Sequence, residues 1–194
     1  MKRTLLVLLV TTSITLAQTN IGITTTGGPS PCGNGNGTDA NNANLLCGVQ
    51  VNVPTLCAAQ SLSFFVTAPA GSLVLSIYDA TGTGGMPGRL IAQTNAFATV
   101  ANWNTQSLQN PVALQPGTYW LCYNPSSNNL GSAIQSGGTG FFTNLPYSAS
   151  MPGFAPAGQM LNQCVWSIYA TVAPATPLAP GNYVLPNGSS VIVP

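Results

Sequence analysis

Charge is scarce in this sequence: its 194 residues include three Lys or Arg, two Asp or Glu and no His. Lys2 and Arg3 lie at the very start, so from residue 18 onward the ionisable charges reduce to Asp39, Asp79 and Arg89. A serine or cysteine nucleophile needs a base to activate it, and there is neither an imidazole nor a Gly-x-Ser-x-Gly elbow. A glycosidase needs two carboxylates at a fixed separation, and Asp39, set in a Gly/Asn-rich loop, is a poor mate for Asp79. The expectation is a protein that is not an enzyme. Nucleic acid is excluded as a partner, because its phosphates demand clustered Lys and Arg. Five cysteines without His or a Cys-x-x-Cys pair make no zinc cluster, and one carboxylate near Asn and Gly is too little for calcium, so neither metal nor cofactor is expected.

Helical periodicity is lacking as well. Residues 1–17 place Lys2 and Arg3 ahead of a short apolar run ending in small residues, the build of a secretory signal peptide. That run is diluted by Thr11, Thr12, Ser13 and Thr15, and no cysteine follows it to accept lipid. Cleavage after Ala17 leaves no stable membrane insertion, and the expected location is secreted, extracellular or at the cell surface.

What is present is β texture. Residues 18–48 read as an extended arm followed by a Gly/Asn-rich loop, and residues 49–172 as short runs of period-2 alternation broken by Gly, Pro and Asn. The clearest strands are 61–68, 72–79, 118–124 and 164–172, with Leu62/Phe64/Val66, Leu73/Leu75/Ile77 and Cys164/Trp166/Ile168 each sharing a face. Weaker strands fall at 90–97 and 105–108, and one hairpin between Ala133 and Thr143. Residues 173–194 form a Pro-rich linker and a second hairpin around Pro186-Asn187-Gly188. The fold class expected is all-β: an antiparallel two-sheet sandwich, jelly-roll or Ig-like, with an N-terminal arm and a C-terminal β-hairpin.

An exported chain favours disulfides. Cys32 and Cys47 bracket the loop and are candidates to close a small ring; Cys122 and Cys164 are candidates to meet in the core. Cys57 is then left unpaired, either inert or available to another chain. Asp79 reads as a turn residue facing Arg89. Asn36 and Asn187 begin glycosylation tripeptides, which also arise by chance in an Asn-rich chain. Among the aromatics, Trp103 and Trp120 fall in strands where a core role is the default, and Tyr147, in the loop 145–154, is the candidate for glycan contact.

Four short motifs, Ile77-Tyr78-Asp79, Met86-Pro87-Gly88, Trp103-Asn104-Thr105 and Pro116-Gly117-Thr118-Tyr119-Trp120, give residues 73–124 a pattern that resembles a recurrent jelly-roll-like β-sandwich module of secreted bacterial surface proteins. The resemblance implies a fold more than a role, since sandwiches host unrelated functions. The functional expectation is a structural subunit that self-assembles into an extracellular filament, sheath or matrix. Strand exchange between copies would use Thr19, Ile21, Ile23 and Thr25 as donor strand. The alternative is a carbohydrate-binding or adhesive module, with a polysaccharide as partner.

Overall fold

The computed structural model describes residues 17–33, 35–175, 181–184 and 190–193. The expected signal peptide up to residue 16 and Asn187 lie outside them. Strands follow one another as β1 (Thr19–Gly22), β2 (Thr38–Asp39), β3 (Leu45–Val53), β4 (Cys57–Ala68), β5 (Ser72–Asp79), β6 (Leu90–Gln93), β7 (Phe97–Ala98) and β8 (Asn102–Leu114). They continue as β9 (Gly117–Pro125), β10 (Gly131–Gln135), β11 (Thr139–Asn144), β12 (Gln159–Asn162), β13 (Val165–Trp166), β14 (Ile168–Pro174), β15 (Gly181–Val184) and β16 (Ser190–Val193).

Two antiparallel seven-stranded sheets pack face to face as a sandwich. The first runs β1-β14-β4-β10-β13, with β2 beside β10 and β8 beside β4; the second runs β12-β11-β3-β9-β5-β6, with β7 beside β5. Ser61 of β4 pairs with both Thr171 of β14 and Ser107 of β8. Across this part of the first sheet the order is therefore β1, β14, β4, β8. The hairpin β15–β16 forms a two-stranded sheet of its own.

Alternation builds the core, because successive side chains on a strand face opposite ways. Leu62, Phe64 and Val66 of β4, Leu73, Leu75 and Ile77 of β5, and Ile168, Ala170 and Val172 of β14 all enter one buried cluster between the sheets. Each large aliphatic or aromatic side chain so buried stabilises by about 1.5–3 kcal/mol. Tyr123 of β9 stacks near Phe64 and Trp166, at centroid distances of 4.4 and 5.6 Å.

Several expectations are corrected. The strands near 133 and 143 exist as β10 and β11 but form no hairpin: β10 pairs with β4, β13 and β2, while β11 pairs with β3 and β12. The chain crosses between sheets there, a choice local turn chemistry does not record. Within the arm, β1 lies antiparallel on β14, Thr19 opposite Val172 and Gly22 opposite Tyr169. The one disulfide among the described residues joins Cys32 to Cys164, with Cα atoms 6.0 Å apart, rather than Cys32 to Cys47. Cys122 cannot meet Cys164 because β9 is central and apolar on both faces: Leu121 and Tyr123 point into the inter-sheet core, while Trp120 and Cys122 point the other way. Cys47, Cys57 and Cys122 are all free and buried, so three thiols are left over rather than one.

Candidate recognition face

The two outer faces of the sandwich differ. Behind the second sheet, Leu46, Val74, Tyr78, Trp120, Cys122, Phe141 and Met151 form a second buried cluster covered by the loop 145–158. The loop is tied down by polar contacts: the Tyr78 hydroxyl donates to the Pro152 carbonyl at 3.0 Å, and the Met151 N–H donates to Gln93 Oε1 at 2.7 Å. The Asn124 amide donates to the carbonyls of both Leu45 and Leu145 at 3.0 Å. Trp120 Nε1 donates to the Gly85 carbonyl at 2.9 Å, closing the Gly-rich turn over the same face.

The outer face of the first sheet carries no such cover among the described residues. Positions alternating with the core residues turn outward: Trp103, Thr105 and Ser107 on β8; Ser61, Ser63 and Phe65 on β4; Tyr169 and Thr171 on β14; and Asn20 on β1. Four strands at about 4.8 Å spacing make a surface roughly 14 Å across. It bears no Asp, Glu, Lys or Arg among the described residues; Asp79 lies on β5, Arg89 just before β6, and Asp39 on β2 beside β10, none of them on these four strands.

Trp103 is the centre of this face. Its ring meets Phe65 edge-on at 5.3 Å and Tyr169 at 4.8 Å, tilted by 60°. The residue after it explains its placement. Asn104 is buried; its Oδ1 accepts the Val100 N–H at 2.9 Å, and its Nδ2 donates to the carbonyls of Val100 and Asn102 at 2.7 and 2.8 Å. That clamp holds Asn102 at a left-handed φ of 77° and starts β8 with Trp103 facing outward. Thr105 then shares a 2.8 Å hydroxyl hydrogen bond with Ser63, and the Thr171 hydroxyl donates to Asn20 Oδ1 at 3.2 Å. Half-buried aromatic rings beside hydroxyls and an amide can stack and hydrogen-bond; they offer no charge and no acid or base.

The residues singled out from sequence fall elsewhere. Tyr147 is half-buried against the covered cluster, its N–H donating to Asn44 Oδ1 at 2.9 Å, and is not on the open face. Ile21 and Ile23 pack against the inter-sheet core, while Thr19 and Thr25 are exposed. Asn36 is exposed, its Oδ1 accepting from the Thr38 N–H at 3.2 Å and hydroxyl at 2.7 Å. Asp79 does face Arg89, with Nε and Oδ2 3.6 Å apart, and also accepts the Arg89 N–H at 2.7 Å. Gly88 is required there, because a Cβ would collide with Asp79 Oδ1 and the Thr81 hydroxyl. Burial pushes the Cys47, Cys57 and Cys122 thiols up, which keeps them protonated and poor nucleophiles. Among the described residues no three His, Cys, Asp or Glu side chains gather at a metal site, and no helix is long and apolar enough to cross a membrane.

Phe65 was missed as a member of a site. The available signal was parity: once Phe64 and Ile168 are assigned inward, their neighbours must turn outward. No protein-family model matches the chain, and no curated protein matches it.

Proposed function

We propose that this chain is a secreted, non-catalytic adhesive module that binds a neutral, extended polysaccharide on the open face of the first sheet. The observation that carries the reading is Trp103, set between Phe65 and Tyr169 on a sheet face with hydroxyl and amide neighbours and no charge. Aromatic anchors dominate recognition surfaces because they bury much area at small entropic cost. A surface without charge suits a polymer without charge. The resemblance of residues 73–124 to bacterial surface modules agrees with this role, and the internal disulfide suits an oxidising location.

The test is depletion of the protein from solution by a panel of insoluble neutral polysaccharides. Saturable binding to at least one is expected, falling roughly tenfold or more in Trp103→Ala, which corresponds to about 1.4 kcal/mol. The same variant should keep a cooperative unfolding transition. Absence of binding across the panel would overturn the reading.

Self-assembly is the leading expectation from sequence; in the single chain β1 lies on β14 and the unpaired thiols are buried. One observation still favours it as a second reading. β1 ends the first sheet, and nine residues separate Gly22 from the tethered Cys32. That length reaches about 30 Å when extended, enough to place β1 on a neighbouring copy. Oligomers that vanish on deleting residues 18–26 would establish exchange; a monomer at high concentration would sink it.

A further inference from the structure

We infer that the cavity beside the Cys32–Cys164 bond is a binding site for a small organic ammonium cation. The cavity has a volume of about 210 Å³ and opens between the sheets, lined by Cys32, Asp39, Asn42, Leu45, Phe142, Leu161 and Trp166 among others. Pockets for drug-sized ligands run to about 300–1,000 Å³, so the occupant here is a fragment of a few heavy atoms.

Its single charged wall residue sets the chemistry. Asp39 Oδ2 accepts from Trp166 Nε1 at 2.8 Å and from Asn42 Nδ2 at 2.7 Å, and Oδ1 accepts the Ala40 N–H at 3.0 Å. These donors orient the carboxylate but leave its negative charge whole. No cationic side chain among the described residues neutralises it, because the only one they include, Arg89, pairs with Asp79. A partly buried charge without a counterion is costly, and an arriving cation relieves that cost. A hard metal ion would want several oxygen ligands, whereas Asp39 and Asn42 supply few. Around them the wall is apolar and aromatic. A quaternary ammonium needs no hydrogen-bond acceptor and is attracted by the carboxylate, while Leu45, Leu161 and the Trp166 and Phe142 rings in the same wall give its methyl groups apolar contact.

Choline and its uncharged carbon isostere 3,3-dimethyl-1-butanol provide the test, followed by nitrogen–proton correlation spectra of the full mature chain. Choline should shift the Trp166 indole and the Asn42 side-chain amide saturably in the millimolar range, leaving the Trp103 indole in place. The isostere at equal concentration should produce less than about a tenth of the shift, and Asp39→Asn should weaken choline binding roughly tenfold or more. Equal shifts from the two compounds, no shift from choline, or a shift at Trp103 alone would each overturn the inference. The pair of ligands on the unaltered chain decides the question even where Asp39→Asn fails to fold.

Discussion

The two sheets of this sandwich solve the same problem in opposite ways. Each has one face in the shared core, but the second sheet buries its other face under the loop 145–158, whereas the first leaves its own bare and stocked with Ser, Thr, Asn and three aromatic rings. The residues differ accordingly. Leu46, Val74, Trp120, Phe141 and Met151 behind the second sheet are apolar side chains that water would penalise. Ser61, Thr105, Ser107 and Thr171 on the first meet water and carry hydroxyls that can be shared with a ligand, with the buried Ser63 supporting Thr105 from beneath. A face evolved only for solubility would need no ring cluster at its centre, and monomers rarely expose contiguous apolar surface without a use for it.

Two tryptophans sharpen the contrast most strongly. Trp120 is fully buried on the covered face, and its ring meets Phe141 at 5.7 Å. Trp120→Ala should cost about 4 kcal/mol, since it opens a large cavity and orphans the Gly85 carbonyl. Trp103→Ala removes only two ring contacts on the bare face and should cost about 1–2 kcal/mol. Denaturant titration of both variants measures the difference. Equal costs would mean that the bare face is as structural as the covered one, and the comparison would collapse.

A second way to break it concerns the arm. The Cys32–Cys164 bond spans 132 residues of sequence, and β1 borders the bare face. Replacing both cysteines with Ser should lower stability by about 3 kcal/mol, chiefly through the entropy the unfolded chain regains. Calorimetry under matched conditions reads the loss. Hydrogen exchange should show β1 amides opening sooner in the variant while those of β9 keep their protection relative to global unfolding. If β1 opens no sooner, the bond does not hold the edge of the bare face.

How far such contrasts can be read from sequence depends on the strand. In β4 and β14 alternation is clean, and Leu62, Phe64, Ile168 and Ala170 announce their inward face. In β9 it is not: Trp120, Leu121, Cys122 and Tyr123 are apolar in succession, so periodicity finds the strand but not its core side. Gly48 pairs with Cys122 across the sheet, and a Cβ there would sit 2.5 Å from its sulfur. That fit involves strands about 70 residues apart, as β3 and β9 are, and leaves no local trace. Cysteine pairing is equally silent, since Cys32 finds Cys164 only after the arm has crossed the sheet. The open face was half legible: the Trp103-Asn104-Thr105 motif marked the strand start, but only the buried Asn104 clamp explains why the indole faces outward.

Ser76 offers a smaller test of the covered face. It stands opposite Cys122, fully buried, and its hydroxyl has no hydrogen-bond partner among the described residues. Deleting an unpaired buried hydroxyl removes a desolvation cost without losing a bond. Ser76→Ala should therefore be neutral or stabilise by up to about 1 kcal/mol in denaturant titrations. The matching change on the bare face, Thr105→Ala, breaks the Ser63 hydrogen bond and should destabilise by about 0.5–1 kcal/mol. Opposite signs at the two positions are expected, and like signs would count against the distinction.

The smallest effect is electrostatic and lies where the Gly-rich turn closes over Trp120. Burial works to raise the Asp79 pKa, but hydrogen bonds from Thr81 and the Arg89 N–H, together with the Arg89 charge, outweigh it and hold the carboxyl below the usual aspartate range. A carboxyl depressed in the folded state contributes stability that is present above its unfolded pKa of about 3.9 and lost as pH falls through the folded value. Arg89 is largely exposed, so solvent screens the ion pair and the contribution should stay below about 1 kcal/mol. Melting temperatures from pH 5 down to pH 2 should fall less steeply in Asp79→Asn than in the parent chain. Since the carboxylate positions the turn that supplies the Gly85 carbonyl, the parent's loss should coincide with a change in Trp120 fluorescence while Trp103 is unaffected; parallel slopes for the two chains would show that Asp79 fixes the turn without storing stability in its charge.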